Sequence, residues 1–144
     1  MGDLAGVRIL VFRVADRLCG AEVAAVREIL PTQEATRVPG TAEAVSGLIN
    51  VRGELVPLVD GRSALGHARS DGGGTIVLCE VGGRSFGFQV DEVMDLQTVP
   101  GEDLSDREEL PGVDPKLARA VGRYGDQTFV LLDLDALLAP ILSL

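Results

Sequence analysis

Eighteen glycines and seven prolines are distributed along this chain of 144 residues and cut it into short apolar runs. Most of these runs are rich in Val, Ile, Leu and Phe, which suit a pleated, packed backbone. Punctuation this frequent leaves no room for long helices and points to an all-β protein. Val7 to Val14 is the clearest strand: Val7, Ile9 and Val11 fall on one face and Leu10, Phe12 and Val14 on the other, so burial on both sides is expected. A turn at Ala15-Asp16-Arg17 leads to a strand over Leu18 to Val23. Ala24 to Leu30 is ambiguous, because Val23, Val26, Ile29 and Leu30 also fall near helical spacing.

Gly47 to Val51 and Glu54 to Asp60 read as a hairpin turning at Arg52-Gly53, where glycine supplies a positive φ. Pro57 lacks a ladder donor and is expected at an edge or bulge. Thr41 to Ser46 is expected to form one helical turn. Thr75 to Val81 and Phe86 to Val90 flank Gly82-Gly83 as a second hairpin, with Asp91 to Val99 continuing the strand. Gly101 to Pro115 reads as an acidic surface loop with a brief helical turn. A third hairpin runs from Ala120 through Tyr124-Gly125-Asp126-Gln127 to Phe129 and Leu134, and Asp135 is the expected cap of a terminal helix over Ala136 to Leu142. The glycine-rich stretch 67–74 separates approximate halves 7–66 and 75–138, and is expected to connect them flexibly within one domain. Two successive sets of short strands predict closure into barrels.

Hydrophobic residues at 46% against 24% charged residues describe a globular chain with a real core. A net charge of -9 repels phosphate backbones and anionic lipid surfaces, which argues against nucleic acid as a partner. The longest apolar stretches fall far short of the roughly 20 residues that span a bilayer, so no direct membrane insertion is expected. Cys19 and Cys79 stand far apart in apolar surroundings without metal-ligand spacing and read as buried thiols. With no signal-peptide pattern, the expected location is cytoplasmic.

One histidine, one tyrosine and no tryptophan offer little for general acid and base work. His67 reads as a solvated loop residue. Gly72-Gly73-Gly74 lacks the following Lys-Ser or Lys-Thr of a phosphate loop. The pairs Asp133/Asp135 and Asp91/Glu92 lack a calcium-loop pattern and read as strand-end caps. No catalytic residue, metal ligand or cofactor is assigned, and an enzyme or ligand carrier built on Asp60, Asp91 and Asp133 is the remote alternative. Arg27, Glu28 and Arg52 lie beside apolar residues. That mixture suits a protein interface, and equally a turn-stabilising salt bridge.

The order of motifs resembles the CheW family of chemotaxis coupling proteins over about residues 9 to 138. Leu10-Val11-Phe12 is similar to the family's opening strand, Val26-Arg27-Glu28-Ile29 to its Val-x-Glu-Ile/Val segment, and Val38-Pro39-Gly40 to the turn that follows. The most specific block is Gly47-Leu48-Ile49-Asn50-Val51-Arg52-Gly53 with Val56-Pro57-Leu58-Val59-Asp60. Gly87-Phe88-Gln89-Val90-Asp91-Glu92-Val93, Val121-Gly122-Arg123 and Leu131-Leu132-Asp133-Leu134 resemble later family strands. Gly61 and Ala21 depart from the usual larger aliphatic residues.

The resemblance implies two intertwined five-stranded SH3-like β-barrel subdomains with short helices. It implies a non-catalytic adaptor that couples the cytoplasmic tip of methyl-accepting chemoreceptors to the regulatory domain of a CheA-type histidine kinase, recruited to membrane-bound receptor arrays. The residues carried over to a receptor-binding groove are Val26, Glu28, Ile29, Asn50 and Arg52, with Glu28 and Arg52 able to pair. No kinase-contact residue is assigned. The alternative within the family is a competitor or specialised adaptor that binds the kinase without receptors.

Overall fold

A computed structural model describes residues 6–70, 72–105 and 114–141. The strands are β1 (Val7–Val14), β2 (Arg17–Glu22), β3 (Val26–Pro31), β4 (Val45–Val51), β5 (Glu54–Asp60), β6 (Thr75–Val81), β7 (Arg84–Val90), β8 (Glu92–Val99), β9 (Ala118–Tyr124) and β10 (Gln127–Leu132). Two short helices, α1 (Gly61–Ala64) and α2 (Leu134–Leu138), follow β5 and β10. Among the described residues, no helix is long and apolar enough to cross a membrane.

The strands form two five-stranded sheets, ordered β8-β1-β2-β10-β9 and β3-β6-β7-β5-β4. Each sheet is rolled up and closed by a bridge from the segment that follows its first edge strand. Thr36 and Leu48 exchange two backbone hydrogen bonds of 2.8 Å in one barrel. Ser105 and Val121 exchange bonds of 2.8 and 3.0 Å in the other. The barrels match strand for strand: β1, β2, β8, β9 and β10 correspond to β6, β7, β3, β4 and β5.

The apolar alternation in the sequence builds three cores. Ile9, Val11, Leu18, Val99, Phe129 and Leu131 fill the first barrel, and Ile49, Val51, Val56, Leu58, Ile76 and Leu78 fill the second. The opposite faces of the same strands, including Leu10, Phe12, Val14, Val77, Cys79, Phe86, Phe88 and Val130, form the layer between barrels. Phe12 and Phe88 meet across that layer edge to face, with ring centres 6.0 Å apart. Each fully buried Phe contributes roughly 1.5–3 kcal/mol. The double-faced burial expected of β1 is therefore present, and Cys19 and Cys79 are buried free thiols.

Several expectations are corrected. The sheets do not follow the halves 7–66 and 75–138, because the first takes strands from both ends of the chain and the second is β3 to β7. The stretch 67–74 therefore links α1 to β6 within one barrel. Its described residues are also tied down: Ser70 N–H donates to Asp60 at 2.9 Å, Gln89 Nε2 to the Gly73 carbonyl at 2.7 Å, and Thr32 Oγ1 to the Gly72 carbonyl at 3.1 Å. The ambiguous segment is a 3-10 turn over Val23–Ala25 followed by β3. Thr41 to Ser46 holds turns and the start of β4, with no helix.

Pro57 is not on an edge strand, since β5 lies between β7 and β4. The pairing with β7 begins only at Leu58, which spares the missing donor. β8 does not prolong β7 but crosses to the other sheet and pairs with β1. Within the acidic loop, Gly101–Asp103 forms a 3-10 turn, and 106–113 lie outside the described residues. Asp133, not Asp135, caps the terminal helix, accepting from Ala136 N–H at 3.1 Å. That helix covers Leu134–Leu138.

Candidate protein-docking site

The two groups of residues that the sequence singles out come together at one margin of the second barrel. β4 and β5 pair from Val45↔Val59 to Val51↔Glu54 and leave Arg52-Gly53 as the turn. Both turn residues have positive φ, 52° at Arg52 and 87° at Gly53, which matches the right-handed twist of the flanking strands. The left-handed geometry at Arg52 strains a residue with a side chain. Asn50 offsets that strain by accepting the Gly53 N–H on Oδ1 at 2.8 Å. Asn50 is thus the residue that shapes the turn, and Arg52 is the residue the turn presents.

Arg52 Nη2 lies 2.5 Å from Glu28 Oε2 on β3. β3 and β4 are the two ends of the sheet order, so this pair spans the seam of the barrel. Its side chains remain wetted, 69% exposed at Arg52 and 31% at Glu28. The hydrogen bond from Arg52 holds the Glu28 carboxyl below its ordinary range, and Arg52 is raised in turn. A solvent-facing pair of this kind contributes little to folding and fixes two charges at the surface.

A bulge decides which side chains accompany them. β3 pairs Val26↔Cys79 and then Glu28↔Leu78 and Ile29↔Val77. The extra residue, Arg27, puts Val26 and Ile29 on the face of Cys79 and Val77, which is the inter-barrel layer. Glu28 turns to the other face. Val26 packs against the layer, whereas Ile29 runs out beyond it and is 46% exposed. Arg27 points away, its Nη1 donating to Ser85 Oγ at 2.9 Å, with Glu80 at 3.7 Å.

The same device recurs on β8, which the sequence reading did not select. β8 pairs Val93↔Phe12 and, after a bulge at Met94, Asp95↔Val11 and Leu96↔Leu10. Val93 joins the inter-barrel layer and Leu96 extends beyond it, 48% exposed. Val93-Met94-Asp95-Leu96 repeats Val26-Arg27-Glu28-Ile29 in its spacing. That internal repeat is the signal by which β8 was findable.

The remaining carboxylates named from sequence serve the scaffold. Asp60, buried, accepts from the N–H groups of Arg62 at 3.0 Å, Ser63 at 3.3 Å and Ser70 at 2.9 Å. Asp91 is engaged by the Arg62 guanidinium. Asp60, Asp91 and Asp133 therefore belong to three separate caps and clamps. His67 is exposed, its N–H bonded to the Arg62 carbonyl at 2.8 Å. Among the described residues no group of three His, Cys, Asp or Glu side chains is arranged to hold a metal.

A family model described as the CheW-like domain matches residues 8–141. The chemotaxis protein CheW of Rhizobium meliloti (strain 1021) is 31% identical over 134 residues, covering 91% of this chain and 86% of that one. The chemotaxis protein CheW of Klebsiella aerogenes is 25% identical over 141 residues, covering 96% and 85%. The crystal structure of scaffolding protein TtCheW from Thermoanaerobacter tengcongensis superposes with a TM-score of 0.84 at 23% identity, covering 92% of this chain and 88% of that one. A match over nearly the whole length, on the same paired barrels, places the chain in the CheW-like domain family.

Proposed function

We propose that this protein is a chemotaxis adaptor that works by contact, coupling the helical cytoplasmic tip of chemoreceptors to the regulatory domain of a CheA-type histidine kinase. The observation that carries this reading is the solvent-facing Arg52–Glu28 pair on the same edge strand as the exposed Ile29. Fixed charges next to aliphatic side chains suit an amphipathic helix, whose apolar face needs cover and whose polar flanks need partners. Val26 shares the face of Ile29 and packs on the inter-barrel layer, and Asn50 sets the turn that carries Arg52. Relatives named chemotaxis protein CheW support the pathway. In this reading the adaptor performs no chemistry and acts where receptor arrays meet the cytoplasm.

Co-sedimentation with receptor-bearing membranes, with and without the kinase, tests the proposal. Kinase recruitment that depends on this protein and is lost in Arg52→Glu supports it. Kinase binding without receptor binding identifies a competitor instead, and binding to neither overturns both.

A further inference from the structure

A carboxylate at the head of the strand that presents Leu96 ties the two barrels together. Asp91 lies on the crossover from β7 in the second barrel to β8 in the first. Arg62, on α1 of the second barrel, donates from Nε to Asp91 Oδ1 and Oδ2 at 3.0 and 3.1 Å and from Nη2 to Oδ1 at 2.6 Å. Asp91 Oδ2 also accepts the N–H of Ala15, in the β1–β2 turn of the first barrel. The Asp91 N–H donates to the Arg13 carbonyl at 2.9 Å. One carboxylate thus joins a guanidinium of one barrel to the backbone of the other. The pairs Arg13–Glu92 and Arg119–Glu22 lie within the first barrel, and Arg27–Glu80 and Arg52–Glu28 within the second.

Among the described residues, the equivalent crossover, from β2 to β3, has no counterpart. The repeat that aligns Val90-Asp91-Glu92-Val93 with Val23-Ala24-Ala25-Val26 puts Ala24 in the place of Asp91. That crossover is held by apolar packing of Val23, Ala25 and Val26. Packing alone resists separation better than it resists sliding, because it is non-directional, whereas a forked guanidinium–carboxylate contact fixes an orientation.

We propose that Arg62 and Asp91 form a latch that fixes the angle between the barrels, and with it the spacing of Ile29 on β3 and Leu96 on β8. They are positioning residues for receptor docking, which they do not themselves contact. This rests on the adaptor reading above. α1 is itself fixed, since Asp60 caps it and it packs on β5 and β7. Movement of Arg62 is therefore movement of the second barrel.

The test uses spin labels at Glu54→Cys and Asp126→Cys, exposed positions on the two barrels, with inter-label distances measured by pulsed electron resonance. Native Cys19 and Cys79 are buried and stay unlabelled. Asp91→Asn and Arg62→Gln are expected to broaden the distance distribution while unfolding remains cooperative, and to weaken binding to receptor membranes roughly five-fold or more. Arg62→Lys, which keeps the charge but not the fork, should recover part of both effects, and it serves as the milder variant should the others fold poorly. Wild-type distances in all three variants overturn the latch. Broadened distances with undiminished receptor binding overturn its positioning role. If the wild type itself fails to bind receptor membranes, the adaptor reading and the positioning role fall together, and the distances still decide the latch.

Discussion

Arg52 and Glu28 meet at 2.5 Å across the seam of the second barrel, one on the tip of a hairpin and the other on the edge strand that ends the sheet. Among the described residues, the first barrel offers no such pair at the corresponding seam. There Asp95 accepts from its neighbours, the Leu96 N–H and Gln97 Nε2, each at 2.7 Å. The corresponding hairpin turns through Gly125-Asp126. The barrels share a fold, and among the described residues the charged seam belongs to the second.

Arg52→Glu sets a carboxylate opposite Glu28 at a wetted site. Thermal unfolding should stay near that of the wild type, while receptor-dependent kinase recruitment falls. Combining it with Glu28→Arg restores the pair in reversed order. Recruitment restored in the double variant would mean that only the pairing matters; loss in both means that the partner meets these charges directly, which is the expected result.

Leu58 lies inside the second barrel at 2% exposure, and Leu55, three residues earlier on the same strand, is 63% exposed. Leu58→Ala should cost about 2–5 kcal/mol through lost burial and a residual cavity, and Leu55→Ala little. Chemical denaturation of the two variants checks this directly. Equal, small losses would show that β5 is not a core strand.

Much of this was legible in the sequence. Apolar residues on both faces of Val7 to Val14 announced a strand buried on both sides, and Arg52-Gly53 announced the turn between β4 and β5, because both signals are local. That the strands close into barrels was legible in their two sets, but how each barrel closes was not, since it depends on single bridges from Thr36 and Ser105, which lie outside any periodic run. The crossing of the chain at Asp91 was hidden for a related reason. β7 and β8 are contiguous apolar segments, and only long-range pairing of β8 with β1 separates them. At the candidate docking site, Glu28 and Arg52 stood out as charges beside apolar residues, and the expectation that they pair came from motif resemblance. Leu96 was missed because a bulge at Met94 disguises the two-residue period by which a strand face is recognised.

Gly47 tests the closure. Its φ of 146° is uncommon for L side chains, and a Cβ there would lie 2.2 Å from the Thr36 carbonyl oxygen. Gly47→Ala therefore has to displace the Thr36–Leu48 bridge, at a cost of about 1–3 kcal/mol. Gly53 also has positive φ but opens to solvent, so Gly53→Ala should cost less. Hydrogen exchange at the Thr36 and Leu48 amides, both donors in the bridge, should accelerate in the first variant and not in the second.

Burial pushes the Cys19 and Cys79 thiols up to about 12. The reactive thiolate is therefore scarce at neutral pH. A thiol reagent at pH 8 should leave the native protein unmodified and react with both residues once denaturant unfolds it. Rapid modification of either thiol without denaturant would show that the layer between the barrels opens.

The latch carries a pH signature. Partial burial pushes the Asp91 carboxyl up, but the Arg62 guanidinium, the Ala15 N–H and the nearby Arg13 outweigh it and hold the group below the ordinary carboxylate range. A carboxylate depressed in the folded state contributes stability that is present above its unfolded value of about 3.9 and is lost as pH falls through the folded value. Melting temperature should therefore decline as pH is lowered through and below about 4, and Asp91→Asn, which has no proton to take up, should show a shallower decline. Equal slopes for the two proteins would mean that Asp91 titrates alike in the folded and unfolded chains, and that Arg62 does not hold it.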